Sequence, residues 1–514
     1  MDVLFITPNS AKKVYQDLSN KLSAIETPTW SLLLAESCRS KGGNVAIMDC
    51  LAENLSHEDA YQRIKNLNPK LICFVVYGQN VNAGTTNMVG AVELSKFLKD
   101  KNIGIPISYI GSYVQALPKK VLLDEKSIDF IFINEGVYSL HKIIKMKEIN
   151  NSNIEDIPGI FFRNDKGEIV PTEPIGVVPT EKMDQDLPGY AWDLLPFKNK
   201  PLDLYRSPMW HAEYKEENRS PYAAIQTSLG CQFKCSFCMI NLINKDNSDE
   251  LGVASNHSGM RHWSPGFIIK EFDKLINYGV TTIRIVDEMF LLNPKYYLPL
   301  CNLLAERNQN DTLKMWAYSR IDTVKKPETL KKVRQAGIKW LCLGIESGDK
   351  KVRLEVSKGK FEDVDVRKII SRIHEADIEV MANYIFGLPG DDINTMQKTL
   401  DLSIELCTSG WNAYAAMALP GSFLYKKSLE NNYELPTTYE GFSFHSYETV
   451  PLSTEHLKAF EILNFRDNAF HKYHSNANFL KRIENKFGIN AKENILNSLQ
   501  IKLKRKIIEE NIKN

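Results

Sequence analysis

The chain has 514 residues, 43% of them apolar and 25% charged, with a formal net charge of +1. That length exceeds an ordinary domain, so two or three domains are expected, and the apolar share is enough for more than one core. A charge this close to neutral excludes a broad basic footprint for nucleic acid or a polybasic membrane patch, and no run approaches the ~20 apolar residues of a membrane span. The opening stretch from Met1 to Pro8 lacks the basic region and long apolar core of a secretory signal, so a cytoplasmic protein is expected. Nine cysteines, only three of them clustered, fit a reducing compartment and a metal site better than a disulfide framework.

Residues 1–147 alternate strand-length apolar runs with helical patterns. Runs stand at Val3 to Ile6, Val45 to Met48, Leu71 to Val76, Ile107 to Ile110 and Asp129 to Ile133, with helices over Trp30 to Cys38 and Thr85 to Lys101. This is the pattern of a five-strand doubly wound α/β domain, flavodoxin-like or Rossmann-like, whose ligand crevice lies beyond the carboxyl ends of its strands. Those ends read Thr7-Pro8-Asn9, Tyr77-Gly78-Gln79-Asn80, Gly111-Ser112-Tyr113 and Asn134-Glu135-Gly136. No G-x-G-x-x-G follows the first strand, so a nicotinamide or flavin dinucleotide is not indicated. A polar turn closing the third strand is the competing reading of Tyr77, Gln79 and Asn80. Cys38, Cys50 and Cys73 read as core residues.

Residues 148–220 form a connector rich in proline and polar residues. A hairpin is expected from Ile160 to Arg163 and Glu168 to Val170 around Asp165-Lys166-Gly167, while Trp210-His211 reads as packing.

Residues 221–424 repeat a strand–helix unit six times, with strands at Tyr222 to Gln226, Thr282 to Val286, Met315 to Tyr318, Trp340 to Ile345, Val380 to Ile385 and Tyr414 to Ala418. Helices run from Ser264-Pro265 to Gly279, from Pro327 to Gly337, and from Asp391-Asp392 to near Gly410. Six such units make an incomplete β/α barrel, whose active residues belong at the carboxyl ends of the strands. The chemically conspicuous stretches all fall there: Cys231 to Cys238, Asp287-Glu288, Ser319 to Asp322, Glu346-Ser347-Gly348, Phe386 to Gly390 and Leu419 to Ser422. Residues 425–514 are helical and lysine-rich, with His445, Tyr447 and Pro451 in an aromatic loop and Phe465-Arg466-Asp467 in a helix. This part is expected to cap the open side of the barrel, with Lys502 to Lys513 as a solvated helix face.

The stretch that organises the chain is Gly230 to Cys238. Spacings of three and two residues let one loop wrap the thiolates of Cys231, Cys235 and Cys238 around a corner of a small cluster, and thiolates are the ligands of iron–sulfur centres. There is no fourth cysteine, and a 4Fe-4S cluster held by three leaves one iron open for chemistry. The competing reading is a structural zinc knuckle completed by His257 or His262. With Phe237 in its aromatic slot, C-x-x-x-C-x-aromatic-C resembles the signature of the radical S-adenosylmethionine (SAM) superfamily. That resemblance implies that the open iron is chelated by SAM, and that the reduced cluster cleaves SAM to a 5'-deoxyadenosyl radical. It makes Cys231, Cys235 and Cys238 the catalytic metal ligands and puts Asp287 and Glu288 at the SAM amino group. It also makes Arg320 and Glu346 polar contacts to SAM or substrate, and places the adenine between the backbone near Phe237 and the residues around Gly387. Each acid has a competing reading as partner of Arg284 or Arg320 across the barrel mouth. Cys301, Cys342 and Cys407 read as inert.

Placed ahead of such a core, the first domain resembles the cobalamin-binding domain of cobalamin-dependent radical SAM enzymes. The likeness runs through Pro28-Thr29-Trp30, Gly42-Gly43-Asn44, the Tyr77 to Asn80 loop, Ile110-Gly111-Ser112 and Glu135-Gly136. It implies that Thr7, Tyr77, Gln79, Asn80, Gly111, Ser112 and Glu135 lie near cobalamin. Cobalamin domains that supply a histidine carry Asp-x-His-x-x-Gly after the first strand; here Thr7 to Lys12 stands instead, and the only histidines are His57 and His141, so no histidine ligand to cobalt is expected. The implied activity is methyl transfer to an unactivated carbon of a small molecule or biosynthetic intermediate, with a flavodoxin or ferredoxin as electron donor. Ring closure or rearrangement without net methylation is the alternative within the family. A zinc-stabilised, non-catalytic binding or sensor protein is the alternative from another class.

Overall fold

Val3, Leu4, Phe5 and Ile6 have no exposed surface at all, the condition of a central strand covered on both faces. The structure, a computed structural model, describes residues 1–19, 22–78, 81–150, 152–207, 219–240, 259–324, 326–356 and 361–513, so Gln79, Asn80, Trp210, His211 and His257 lie outside the described residues. Strand β1 (Val3–Thr7) lies between β2 (Val45–Asp49) and β3 (Leu71–Val75), and β4 (Ile107–Ile110) and β5 (Phe130–Phe132) follow, all parallel. The sheet does not stop at five strands. The connector hairpin, β6 (Ile160–Arg163) and β7 (Ile169–Pro171), adds antiparallel to β5 and makes a seven-stranded sheet in the order β2-β1-β3-β4-β5-β6-β7. The hairpin covers the apolar edge that β5 would otherwise present to water.

The second sheet begins with β8 (Tyr222–Ile225), after which a two-residue pair, β9 (Ser228–Leu229) and β10 (Arg261–His262), brackets the cysteine loop. It continues with β11 (Thr282–Ile285), β12 (Lys314–Arg320), β13 (Ile338–Glu346), β14 (Glu379–Phe386) and β15 (Gly410–Ala415). Six parallel strands in the order β15-β14-β13-β12-β11-β8 give the open half-barrel expected from the repeats. Arg320 and Glu346 are the last residues of their strands rather than loop residues. At Glu346 the register of β13 against β14 shifts and φ is +66°, which re-aims its side chain toward the strand ends.

The intervening helices follow their punctuation, with one difference. Helix Pro265–Asn277 starts after Ser264, but the Ser264 hydroxyl does not cap it; it donates to Asp184 of the connector at 2.6 Å. Helix Ile393–Leu406 is closed by a capping box between Asp392 and Thr395.

Helices Ala459–His474, Ala477–Phe487 and Ile489–Ser498 pack on the β15 side, where Tyr473 stacks on Trp411 at 5.2 Å. The stretch from Lys502 is not one solvated helix. Only Lys506–Lys513 is helical, and ahead of it Arg505 is 3% exposed. No helix among the described residues is long and apolar enough to cross a membrane.

The two sheets are stitched together by buried polar contacts. Thr27 exchanges hydrogen bonds with the backbone of Ala224 in β8, and Arg261 of β10 forms an ion pair with Glu135.

Candidate active site

The carboxyl ends of β8 and β11 to β15 open onto a cavity of about 1240 Å³. That is larger than the roughly 300–1,000 Å³ of an ordinary small-molecule pocket, so it has room for more than one ligand. Cys231, Cys235, Phe237, Cys238, Asp287, Glu288, Arg320 and Glu346 all line it, from four separate stretches of sequence.

The three thiols share this cavity, yet among the described residues no three His, Cys, Asp or Glu are set to hold a single metal ion. Thiols that each ligate a different iron of a cluster need not converge on one point. His262 does not complete a zinc site: its ring lies 4.2 Å from that of Tyr296 and it is absent from the cavity lining. Burial pushes the Cys231 thiol up to about 12 and Cys238 well above its usual value. Cys235 is held to about 11, because the Arg320 guanidinium opposes the burial from 4.0 Å away.

Arg320 is fixed from three sides. Asp322 receives Nε and Nη2 at 2.6 Å each, and the guanidinium stacks over Phe233 at 3.7 Å and Phe361 at 4.4 Å. Arg284, the other candidate partner for the rim acids, is instead paired with Glu26 of the first domain, which also accepts from the Tyr222 hydroxyl. The acids therefore divide. Asp287 accepts from the Thr227 N–H, the Thr227 hydroxyl and the Ser228 hydroxyl, all at 2.6 Å, so it shapes the entry to the cysteine loop. Its burial raises it to about 6. Glu288 and Glu346 are raised to about 7 by burial, opposed by the Val81 N–H and by Arg320 respectively. An added Cβ at Gly344 would collide with Glu346, so that glycine makes room for the carboxylate. A group carrying positive charge would restore both to their ionised form.

Gly387 does not reach the cavity. Its φ is +80°, Asp391 accepts from its N–H at 3.0 Å, and an added Cβ would strike Ile462 at 2.6 Å. Cys342, read as inert, does face the cavity from β13, where burial lifts it to about 12.

On the first domain, Thr7, Tyr77, Gly111, Ser112 and Glu135 are each engaged within the fold. Thr7 meets the Ser31 hydroxyl at 3.3 Å, and Tyr77 stacks on Trp30 and donates to the Asn134 carbonyl at 3.0 Å. Ser112 donates to the Val81 carbonyl at 2.8 Å, a Cβ on Gly111 would lie 2.6 Å from Val76, and Glu135 holds Arg261 and the Val178 N–H. Among the described residues, the first-domain lining comes from Val14, Tyr15, Leu18, Leu22, Glu26, Asn82, Ala83 and Thr86, among others. His57 lies against Phe97 and His141 bonds Ser37 at 2.8 Å, both away from that lining.

Asn82 was not singled out in the sequence, although it follows the Tyr77 to Asn80 loop by two residues. Its amide is 3.7 Å from the Cys238 sulfur and accepts from the Met239 N–H at 2.9 Å. The carboxyl end of β3 thus touches the cysteine loop itself.

The family model of the Radical SAM superfamily matches residues 225–403, which run from the end of β8 through the cysteine loop to the helix after β14. These residues carry a radical SAM domain. The chain's relatives include an uncharacterized methyltransferase, PH0819, of Pyrococcus horikoshii, 22% identical over 86% of each chain. Two solved radical SAM structures share the fold over both sheets. One is the methyltransferase TsrM of Kitasatospora setae with cobalamin and a [4Fe-4S] cluster, at TM-score 0.62 and 15% identity, covering 84% of this chain and 75% of that one. The other is the cobalamin-dependent enzyme OxsB, at TM-score 0.65 and 14% identity, covering 97% of this chain and 70% of that one.

Proposed function

We propose that this radical SAM protein is a cobalamin-dependent methyltransferase that alkylates an unactivated carbon of a small molecule. The observation that carries the reading is that Cys231, Cys235 and Cys238 share one cavity with Asn82, Ala83 and Thr86, from the turn and helix start that follow β3. The methyltransferase named among its relatives and the cobalamin-bearing structures of the same fold support it.

In this reading the three cysteines hold the cluster, Glu288 and Glu346 face the amino group of SAM, and Arg320 faces its carboxylate, a geometry suited to a guanidinium. When bound, the cluster and SAM supply a carbon-radical generator and cobalamin supplies the methyl group. The first domain presents Val14, Leu18, Asn82, Ala83 and Thr86 to the corrin, with no histidine of that domain among the described lining residues. We place the cobalamin contacts there, with Thr7, Tyr77, Gly111, Ser112 and Glu135 fixing the loops behind them. The raised carboxyls of Glu288 and Glu346 release their protons as the ammonium of SAM enters, which ties SAM binding to closure of the charge balance.

Anaerobic purification with cobalamin, followed by iron, sulfide, cobalt and zinc analysis, tests this directly. About four irons and one cobalt per chain are expected, and Cys235→Ala is expected to lose the iron and cleavage of SAM. Colourless protein with one zinc would reject the enzyme reading. Iron without cobalt would reject the methyl carrier alone.

A further inference from the structure

The sheet edge opposite β8 supplies the other wall of the cavity, and the chemistry proposed above leaves that wall unused. It is made by the carboxyl end of β15, helix Ala459–His474, the loop at 442–445 and residues 501–505. Two buried guanidiniums meet there on a single carboxylate: Asp467 accepts from Arg466 Nη1 at 2.9 Å and from Arg505 Nε and Nη2 at 2.9 and 3.1 Å. Arg505 is fully used, because its remaining contacts go to the Ser446 and Phe444 carbonyls and the Thr449 hydroxyl. Arg466 is not. Its Nε donates to the Ala413 carbonyl at 2.8 Å, but its Nη2 has no hydrogen-bond partner among the described residues, although the side chain is 8% exposed and lines the cavity.

The nearby groups do not balance this charge. His445, pushed down to about 3 by burial and the two arginines, is a neutral imidazole. Glu26 is committed to Arg284, and the exposed Glu509 accepts from the Tyr447 hydroxyl at 3.0 Å. Lys502 and Lys504, both exposed, add positive potential at the mouth. Around Arg466 the wall is aromatic: Tyr414 lies 4.6 Å from Phe444, Tyr15 lies 5.6 Å from His445, and Phe470 is beside the guanidinium. A buried charge with an open donor is costly unless a counter-charge reaches it.

We infer that Arg466 receives an anionic group of the substrate, a carboxylate or a phosphoryl oxygen, while the substrate's aromatic or apolar body lies against Tyr15, Tyr414 and Phe444. This rests on the enzyme reading above and names the substrate class of the same cavity. The substrate then spans the cavity from the Arg466 wall toward the cysteine loop, with its anionic end held away from the radical chemistry.

The test uses the anaerobically reconstituted full chain with SAM and cobalamin, and three probes: 2-naphthoate, its uncharged twin 2-naphthamide, and inorganic phosphate. Binding is read by ligand-observed NMR, with iron content and release of 5'-deoxyadenosine measured on the same preparation. The expected result is naphthoate binding at least about tenfold tighter than naphthamide, the preference that one charge-assisted hydrogen bond gives. Arg466→Gln should abolish the preference and Arg466→Lys should keep part of it, with the iron content unchanged in both. Displacement of naphthoate by phosphate at equal concentration supports the anion site and assigns it to a phosphoryl group; failure of phosphate to compete assigns it to a carboxylate. Lack of any preference in the wild-type chain overturns the inference, a comparison that needs no variant to fold, and so does a preference that survives in Arg466→Gln. Absence of preference in the wild-type chain with cluster and SAM cleavage intact overturns this inference alone; a wild-type preference without any cluster overturns the enzyme reading alone.

Discussion

At the scale of single residues, burial decides what each titratable group can do. His474 is 3% exposed, donates from Nδ1 to the Phe470 carbonyl at 2.9 Å, and is pushed down to about 4 by burial. Unfolded, the same imidazole titrates near 6.5, so between those values the unfolded chain binds the extra proton and stability falls as the pH drops. Each pH unit lost in that window costs about 1.4 kcal/mol for this one residue. The urea midpoint should therefore fall between pH 6.5 and 4, and His474→Phe should flatten the slope; an unchanged slope would show that other groups set the acid limb. The cysteine triad, Glu288 and Glu346 were legible in the sequence because they sit directly after strand-length runs. Glu26, Asn82 and Arg466 were not, because what makes them notable is a partner or a cavity supplied by a remote part of the chain. Asp287 was legible as a rim acid, but its use in anchoring Thr227 and Ser228 depends on hydroxyls about 60 residues away, beyond any local pattern.

Elements carry the next level of order. The alternation of short apolar runs with helical patterns was enough to read five of the six barrel strands in place and the parallel sheet, since buried parallel strands have a near-continuous apolar signature; the sixth, expected at Tyr414 to Ala418, starts four residues earlier as Gly410–Ala415. It could not show that the connector hairpin completes the first sheet, because the edge on which a hairpin docks is not written in its own sequence. Nor did it show that residues 501–505 leave the helix, since Arg505 earns its burial from Asp467, Ser446 and Thr449. Where two elements meet closely, a glycine is needed. The end of β4 approaches β3 at Gly111, where a Cβ would lie 2.6 Å from the side chain and carbonyl of Val76. Ser112 then ties down the loop that carries Asn82 through the Val81 carbonyl. Gly111→Ala should push that loop off, costing about 1–3 kcal/mol in stability. It should also lower the cobalt content while sparing the iron; equal retention of both metals would mean that the loop does not contact the corrin.

The whole molecule depends on the two sheets being held together. Glu26, Arg284 and Tyr222 form a buried joint between them, with Arg284 also packed over the Tyr318 ring at 4.9 Å. Removing the Glu26 charge by Glu26→Gln should destabilise the chain by about 3–5 kcal/mol. The double variant Glu26→Gln/Arg284→Gln should recover part of that loss, as read in chemical denaturation; strictly additive losses would show that the two do not act as a pair. A similar joint ties distant parts of the chain together on the far side. Gln16, just after the short helix Ala11–Tyr15, donates to the carbonyls of His445 and Lys504, so the chamber's wall is closed by residues more than 400 positions apart. Segment 501–509 is therefore the last part of the wall to leave the ribosome. Until it docks, the chamber lacks its wall on the side away from the cysteine loop, so synthesis completes both sheets before it completes the chamber.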